Sequence, residues 1–200
     1  VCVLYGVQND IVFNPLKSQY VVFEPPSYRT PIPSVFINND IVPRVNAAKY
    51  LGVLLTSNMS DNDEILKQVR GLYARCNTVL RKFRNCSMPV KAKLFQSFCT
   101  NFYCMPLWCR FNQNVVQRLK VAYNNVFRSL FTYDRRSSAS QMFVFNNVPN
   151  FSVLLRKSVF SFMNRIFNSS NELVFTLASN SRILTNELFN HWWNSLYMHV

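Results

Sequence analysis

The sequence predicts an α+β protein in which a small antiparallel β-hairpin region precedes a bundle of helices. Up to about residue 58, short β-branched and aromatic runs alternate with proline and asparagine turns. From Ser60 onward, apolar residues recur at steps of three and four, the period of a helix that buries one face. The chain has 200 residues, of which 49% are apolar, so it is long enough to bury a core.

The first part is expected to hold several short strands. Prolines and asparagines bound these runs, and Asn38-Asn39-Asp40 has the composition of a hairpin turn. The stretch AKYLGVLLT is so apolar that we expect it to form one continuous buried strand. The expected strands cover residues 11–13, 18–24, 34–37, 41–43 and 48–56.

The first long helix is expected from 62 to 84. Asp61 and Glu64 have the spacing of a capping box, and they place negative charge at the positive end of the helix dipole. Its apolar stripe consists of Ile65, Val69, Leu72, Cys76, Val79 and Phe83. A stripe of this regularity predicts a helix with one face against the core.

The cations of this helix are the candidate nucleic-acid-binding residues. Lys67, Arg70 and Arg81 fall within about 60° of one another on a helical wheel, away from the apolar stripe. Arg75 and Lys82 flank the other side. This arrangement fits either a solvated helix face or a surface that contacts phosphates.

Further helices are expected downstream of the first. One begins after Ser87, with Pro89 in its first turn, where the missing N–H of proline does no harm. Ser137-Ser138 marks a loop, and His191-Trp192-Trp193 is expected to be a packing cluster. The later helices are expected near 114–131, 151–168 and 182–197.

The formal net charge of +13 narrows the class of partner. A chain with this charge and a pI of about 9.8 attracts polyanions, and each neutralised phosphate releases counterions. No apolar run reaches the roughly 20 residues that span a membrane. The charge is spread through the folded segments, which favours nucleic acid over a membrane as partner. The alternative is a basic protein with a solvated surface.

The cysteines do not have metal-ligand spacing. No Cys-x-x-Cys is present, and both histidines, His191 and His199, lie far downstream, so no metal site is expected. We expect reduced cysteines that pack as small hydrophobic residues in a cytosolic or nuclear protein. The six are Cys2, Cys76, Cys86, Cys99, Cys104 and Cys109.

The residues alone define no catalytic site. The three glycines cannot form a Gly-rich phosphate loop, and there is no Gly-x-Ser-x-Gly elbow. Asp61, Asp63 and Glu64 are better explained by a helix N-terminus than by metal binding. A basic unit with many aromatic side chains points instead to nucleic-acid binding.

Several stretches, in order, resemble the reverse transcriptases of non-LTR (LINE-type) retrotransposons. LYGVQNDIVFNPLKSQYVVF at 4–23 resembles the segment that follows their catalytic Tyr-x-Asp-Asp turn, where a helix leads to an Asn-x-x-Lys-Ser element. KYLGVLL at 49–55 looks like their Tyr-Leu-Gly motif, and the helix from 62 to 84 fits the start of their thumb.

The resemblance continues to about residue 176. FCTNFYCMPLWCRF at 98–111 is similar to an element of the family in which a Tyr and a Trp recur. The family commonly has a small residue after that Tyr, where this chain has Cys104, so the local turn is expected to differ. Further matching stretches are AYNNVFRSLF at 122–131, RRSSASQMF at 135–143 and LLRKSVFSFMNRIFNSSNELV at 154–174.

The resemblance implies three regions. Residues 1–58 would be the C-terminal remnant of the polymerase palm, 59–133 a thumb-like helical region, and 134–200 a C-terminal helical segment. Because the chain starts at Val1 rather than methionine, without a secretion signal, we expect a fragment of a longer protein. The resemblance also implies that the protein is found in the nucleus and the cytoplasm, as part of a ribonucleoprotein.

The implied activity of the parent protein is RNA-directed DNA synthesis with Mg²⁺. The aspartates that hold the metal belong to motifs absent from this sequence, so we assign no metal ligand and expect no polymerisation by this chain alone. The implied partners are an RNA template and a DNA primer. The alternatives are a helical module that binds a protein partner and a decayed element copy without function.

The resemblance also implies roles for four residues. Lys17 would be the general acid that protonates departing pyrophosphate, and the alternatives are a phosphate contact or a surface lysine. Tyr50, Leu51 and Gly52 would form the primer grip, with Gly52 allowing close backbone approach to the primer's 3′ end. The alternative for these three is an ordinary buried strand with a glycine at a bulge.

Overall fold

The predicted α+β architecture is confirmed: two small antiparallel hairpins precede a helical bundle. The computed structural model describes residues 2–23, 31–179 and 187–197. The chain divides into two compact units, Val1–Glu64 and Ile65–Val200. The hairpins belong to the first unit, and the helical bundle forms the second.

The first unit contains short elements only. Helix α1 is followed by a 3₁₀ turn and by two separate two-stranded sheets, β1–β2 and β3–β4. Register pairs Val35 with Val42 in the first hairpin and Ala47 with Thr56 in the second. The elements are α1 (Cys2–Gln8), the 3₁₀ turn (Pro15–Lys17), β1 (Val35–Ile37), β2 (Asp40–Val42), β3 (Ala47–Tyr50) and β4 (Val53–Thr56).

Each hairpin closes through a two-residue turn with positive φ at both positions. These residues are Asn38 (φ 51°) and Asn39 (φ 70°) in the first hairpin, and Leu51 (φ 46°) and Gly52 (φ 87°) in the second. Two left-handed residues give a turn whose twist matches that of the strands. Asparagine and glycine tolerate this backbone, whereas a leucine is strained in it.

Three strand predictions are wrong. Residues 11–13 and 18–23 form no strand; between them Asn14 caps a 3₁₀ turn, and Tyr20 forms only an isolated bridge with Arg44. The last residue of the predicted 18–24 strand lies outside the described residues. The stretch 48–56 is a hairpin rather than one buried strand, because Leu51 and Gly52 reverse the chain in its middle.

The helical part begins with α2, whose first turn still belongs to the first unit. Glu64 in that turn is buried, and its Oε2 accepts a hydrogen bond of 2.8 Å from the Leu54 N–H of β4. The helices are α2 (Asn62–Phe83), α3 (Met88–Cys99), α4 (Gln113–Phe131), α5 (Ala139–Phe145), α6 (Phe151–Phe167), α7 (Glu172–Ser179) and α8 (Glu187–Tyr197). None of the described helices combines the length and apolar character that a membrane crossing requires.

An aromatic cluster around α4 forms the core of the helical unit. The Phe95 ring of α3 packs edge-on against Tyr123 and Phe127, with centroids 5.2 and 4.9 Å away. Tyr123 also stacks on Phe143 at 5.3 Å, and its hydroxyl donates a 2.8 Å hydrogen bond to the Pro149 carbonyl. This core joins α3, α4 and α5.

Within the described part of the chain, three helices end in a left-handed residue that is not glycine. These residues are Asp10 after α1, Thr132 after α4 and Asn147 after α5. In each case the next N–H donates to a carbonyl five residues back, as in a Schellman motif. Thr132 is the most strained of the three, because its side chain is branched at Cβ.

The two units differ sharply in charge. The first 64 residues contain 4 basic and 6 acidic residues, a formal charge of −2. Residues 65–200 contain 18 basic and 3 acidic residues, a formal charge of +15. The positive charge of the protein therefore belongs to the helical unit.

Candidate nucleic-acid interface

Lys17 lies at the end of a turn that the sequence Asn-Pro-Leu-Lys-Ser builds for itself. Asn14 Oδ1 accepts a 3.0 Å hydrogen bond from the Leu16 N–H, and the Ser18 hydroxyl donates to the Asn14 carbonyl at 2.8 Å. Pro15 supplies the fixed φ of the first position. The turn presents Lys17 to solvent. Its role as general acid stays a prediction.

The residues assigned to the primer grip form the tip of the β3–β4 hairpin. Tyr50 pairs with Val53, and Leu51 and Gly52 are the turn between them. The Tyr50 and Leu51 side chains are 64% and 75% exposed. An aromatic ring, an aliphatic side chain and a glycine are thus presented together on one turn, and the alternative of an ordinary buried strand is wrong.

The five cations predicted on α2 do not share one environment. Arg70, Arg81 and Lys82 are exposed, whereas Lys67 is half-buried. Arg70 and Arg81 are eleven residues apart on one face, about 16 Å along the helix axis. These two residues define the long direction of the exposed basic face.

Arg75 differs from the other four because its guanidinium is turned toward the protein. Its Nε and Nη2 are buried and have no hydrogen-bond partner among the described residues, and Nη1 lies 3.2 Å from where a Cβ on Gly71 would be. Its charge acts on Cys99, whose pKa it lowers against the larger effect of burial. Arg75 is therefore placed for packing rather than for contact with an external phosphate.

A basic cleft of about 710 Å³ lies where the end of α2, the start of α3 and the end of α4 meet. Three cations, Arg81, Arg84 and Lys91, contribute to its wall, together with side-chain amides and hydroxyls. No Asp or Glu is among the described residues that line it. The lining residues are Asn77, Leu80, Arg81, Arg84, Asn85, Lys91, Ser129, Leu130 and Thr132.

Helix dipoles account for only part of this positive charge. The C-termini of α2 and α4 each contribute about half a negative charge at the cleft, and the N-terminus of α3 contributes about half a positive charge. The three dipoles sum to about half a negative charge, and the three cations exceed it by about two and a half charges. The cleft therefore has a net positive charge.

Sequence reasoning found Arg81 in this cleft but missed Arg84 and Lys91. Arg84 follows Arg81 by three residues and lies within the predicted helix 62–84, so the same helical wheel could have included it. Lys91 belongs to α3 and reaches the cleft only because the two helices pack against α4. No local signal in the sequence places it there.

The buried cysteines are unreactive core residues. Burial raises the pKa of the Cys76 thiol to about 11, and burial together with the neighbouring Cys76 raises that of Cys99 to about 12. Burial also raises the pKa of Tyr123, with Cys99 adding to the effect. Among the side chains that the structure describes, no three His, Cys, Asp or Glu residues come close enough to hold a metal ion.

Comparison with models of protein families, with curated proteins and with solved structures finds no match to this chain. The assignment of function therefore depends on the residues and their geometry.

Proposed function

We propose that this chain is the C-terminal part of a LINE-type RNA-directed DNA polymerase and that it contributes to binding of the primer and template. The basic cleft is the observation that carries the proposal. It gathers three cations and several hydrogen-bonding groups on the unit that has a formal charge of +15. Phosphate groups are the ligands that such a set recognises in nucleic acids.

The exposed cations of α2 extend the cleft into a longer track. Arg70 lies about 16 Å from Arg81 along the helix, and Arg81 belongs to the cleft. A strand whose phosphates follow this track would make several contacts at once. Such contacts hold a nucleic acid in register and carry no sequence information, which suits a polymerase that copies any template.

The hairpin tip and Lys17 have separate roles in this proposal. Tyr50, Leu51 and Gly52 would support the 3′ end of the primer, and Lys17 would donate a proton to pyrophosphate in the intact enzyme. The intact enzyme would use Mg²⁺ held by aspartates of motifs that this sequence lacks. We therefore expect this chain to bind a primed template without extending it.

The test is a titration of a fluorescent RNA–DNA hybrid at several salt concentrations. We expect Kd to rise steeply with salt, with a logarithmic slope of about 0.7–0.9 for each phosphate contacted. The combined variant Arg81→Gln, Arg84→Gln and Lys91→Gln should weaken binding by about tenfold or more and lower that slope by about two units.

A matched control removes the same charge elsewhere. Lys93, Arg135 and Arg136 are exposed and do not line the cleft. Their combined change to glutamine should weaken binding much less than the cleft variant. Equal effects of the two triple variants would show that binding follows net charge alone and would reject the cleft as the contact. A salt-independent association would favour the alternative of a helical protein-interaction module.

A further inference from the structure

A second cleft, of about 520 Å³, opens between α4, α6 and α8 and shares no residue with the basic cleft. Its volume lies within the roughly 300–1,000 Å³ typical of small-ligand sites. None of its lining residues was predicted from the sequence to bind a ligand. The lining residues are Phe111, Gln113, Val116, Gln117, Lys120, Phe151, Ser152, Leu155, Arg156, His191, Asn194 and Ser195.

We call this second cleft the aromatic cleft, and one side of its wall is apolar. Phe111, Val116, Phe151 and Leu155 supply apolar wall, and Phe151 is only 3% exposed. The His191 ring stands edge-on to Phe111 with centroids 5.2 Å apart and planes at 88°. Phe111 and His191 are half-buried, so their rings offer aromatic surface on which a flat group can stack, whereas Phe151 is a core residue.

The other part is cationic and hydrogen-bonding. Lys120 of α4 and Arg156 of α6 both line the cleft, and no Asp or Glu is among its described lining residues. Ser152, which also lines the cleft, lies in the first turn of α6, where the helix dipole favours an anion. An anionic group therefore fits beside the apolar wall.

Three exposed amide side chains on the cleft wall favour a ligand with hydrogen-bonding groups over a simple fatty acid. Gln113, Gln117 and Asn194 line the cleft, and an alkyl chain would cover these polar groups without bonding to them. A ligand that shields these amides from water without bonding to them would lose free energy. A heteroaromatic ring with donors and acceptors on its edge satisfies them, as amide side chains do when they bind adenine.

We propose that the aromatic cleft binds a nucleotide, with the base against the apolar wall and the phosphate at Lys120 and Arg156. The nucleotide is either a free nucleoside phosphate or an unpaired residue of a strand, since both offer the same base and phosphate. The proposal goes beyond backbone binding by the basic cleft. It names a second site on a different face of α4.

Isothermal titration with AMP, adenosine and inorganic phosphate tests the chemistry. AMP should bind about tenfold or more tightly than either of its parts, because only AMP engages both halves of the cleft. Decanoate is the probe for an unspecific amphiphile cavity. Competition by decanoate as strong as that by AMP would overturn the proposal, and so would an absence of AMP binding.

Variants locate the binding. Arg156→Gln and Lys120→Gln should each weaken AMP binding by about fivefold to tenfold, and Leu155→Trp should fill the cleft and abolish it. Lys157→Gln on α6 and Arg118→Gln on α4 remove the same charge from exposed positions outside the cleft and should change little. Equal losses in the test and control variants would overturn the site. Because Leu155→Trp can disturb packing, its melting temperature is measured alongside.

The source of the nucleotide is tested by competition. An eight-residue oligodeoxyadenylate that displaces AMP supports an unpaired residue of a strand, whereas failure to displace AMP supports a free nucleotide. The basic-cleft triple variant should leave AMP binding unchanged within twofold. This result separates the two sites, because failure of backbone binding would affect the hybrid titration and not the AMP titration.

Discussion

Thr132 combines a strained backbone conformation with a position on the wall of the basic cleft. It lines the basic cleft and has φ 57°, a left-handed value that is unfavourable for a β-branched residue. Such strain persists only where the surrounding structure determines it, here the bond from the Tyr133 N–H to the Arg128 carbonyl at 3.0 Å. A strained residue on the wall of a cationic cleft is consistent with a contact to ligand.

We predict that Thr132→Gly raises the free energy of unfolding by about 1 kcal/mol, because glycine adopts the left-handed conformation without a steric penalty. Chemical denaturation measures this change. If the hydroxyl of Thr132 contacts a phosphate, the same variant should bind the hybrid more weakly despite its greater stability. The matched control is Asn147→Gly, at a left-handed position where asparagine is already tolerated, and it should change stability little. A loss of stability in Thr132→Gly would contradict the assignment of strain.

Arg75 gives the opposite case, in which a cation predicted to bind nucleic acid faces the protein. We predict that Arg75→Met raises the free energy of unfolding by about 1 kcal/mol, since methionine keeps the aliphatic stem and removes a charge whose Nε and Nη2 lack partners. The affinity for the hybrid should stay within twofold.

Arg70→Gln is the control on the same helix, and as an exposed substitution it should change stability by less than about 0.5 kcal/mol. Equilibrium unfolding and the hybrid titration give both readouts. Destabilisation by Arg75→Met together with weaker binding would return Arg75 to the set of contact residues.

The buried thiols predict how stability depends on pH. Folding raises the pKa of Cys76 from its ordinary 9.0 to about 11 and that of Cys99 to about 12. Below pH 9 the thiols are protonated in both the folded and the unfolded state, so their contribution to stability is fully present. Above pH 9 the thiols of the unfolded state lose their protons first, which favours unfolding. The free energy of unfolding should therefore fall as pH rises from about 9 toward 12.

Urea denaturation at several pH values measures that slope, and Cys99→Ala should make it shallower. An unchanged slope in this variant would mean that other groups, Tyr123 among them, determine the alkaline behaviour.

At the scale of elements, the sequence predicts the long helices well because each has a regular apolar stripe. The predicted helix at 62–84 corresponds to α2, and that near 114–131 corresponds to α4. The helix predicted after Ser87 is α3, with Pro89 in its first turn as expected. These helices are long enough for the period of three and four to be unambiguous.

The short elements could not be predicted from the residues in the same way. α1 and α5 have seven residues each, which is less than the two full turns needed to define a helical period. The left-handed residues at their ends are Asp10 and Asn147 rather than glycine, so the usual stop signal is missing. Only the resemblance led us to expect a helix near α1. The hairpin at 47–56 was missed because Leu51 occupies a turn position at which Asn or Gly is the usual sequence signal.

Of the candidate interface, the sequence located the cations of α2 and not the clefts. Arg81 was found from its position on a wheel, but the orientation of Arg75 depends on packing around Gly71. Both clefts are formed by helices distant in sequence, so their composition follows from tertiary packing alone. Their residues carry no shared local pattern.

Helix α8 is held to the bundle by Trp192, a residue that the sequence placed in a packing cluster. Its indole N–H donates to the Pro106 carbonyl, and its ring meets Phe162 edge-on at 5.7 Å. We predict that Trp192→Phe lowers the free energy of unfolding by about 1–2 kcal/mol, because the buried Pro106 carbonyl loses its donor.

Hydrogen exchange should show where that loss acts. Amides of α8 should lose more protection than amides of α4, since α8 depends on this contact while α4 is central to the core. Trp193→Phe is the control, because Trp193 is 52% exposed and its replacement should leave both helices protected. Equal loss of protection in α4 and α8 would show that α8 does not open separately.

At the scale of the whole molecule, the basic charge and the main hydrophobic core belong to the same unit. The core residues run from Ile65 to Phe151. We predict that a shortened chain of residues 59–200 folds and binds the hybrid with an affinity within about threefold of the full chain, because it keeps every Lys and Arg of the helical unit.

Circular dichroism and the hybrid titration test the shortened chain. A tenfold loss of affinity with folding intact would assign a direct contribution to residues 1–58, with the Tyr50-Leu51-Gly52 turn and Lys17 as the first residues to vary. The affinity of the full-length variant Leu51→Asn would then decide whether the hairpin tip makes the contact.

The division of charge, −2 in the first 64 residues and +15 in the rest, has a consequence for kinetics. Long-range attraction acts on the helical unit, so the rate of encounter with a polyanion is set there and falls as salt is added. In the proposed function, binding by the helical unit would tether the hairpin tip to the same nucleic acid, because both units belong to one chain. Its own contact then becomes an intramolecular step, governed by effective concentration. A weak grip on a primer end can be sufficient under these conditions, because it never has to capture the primer from solution.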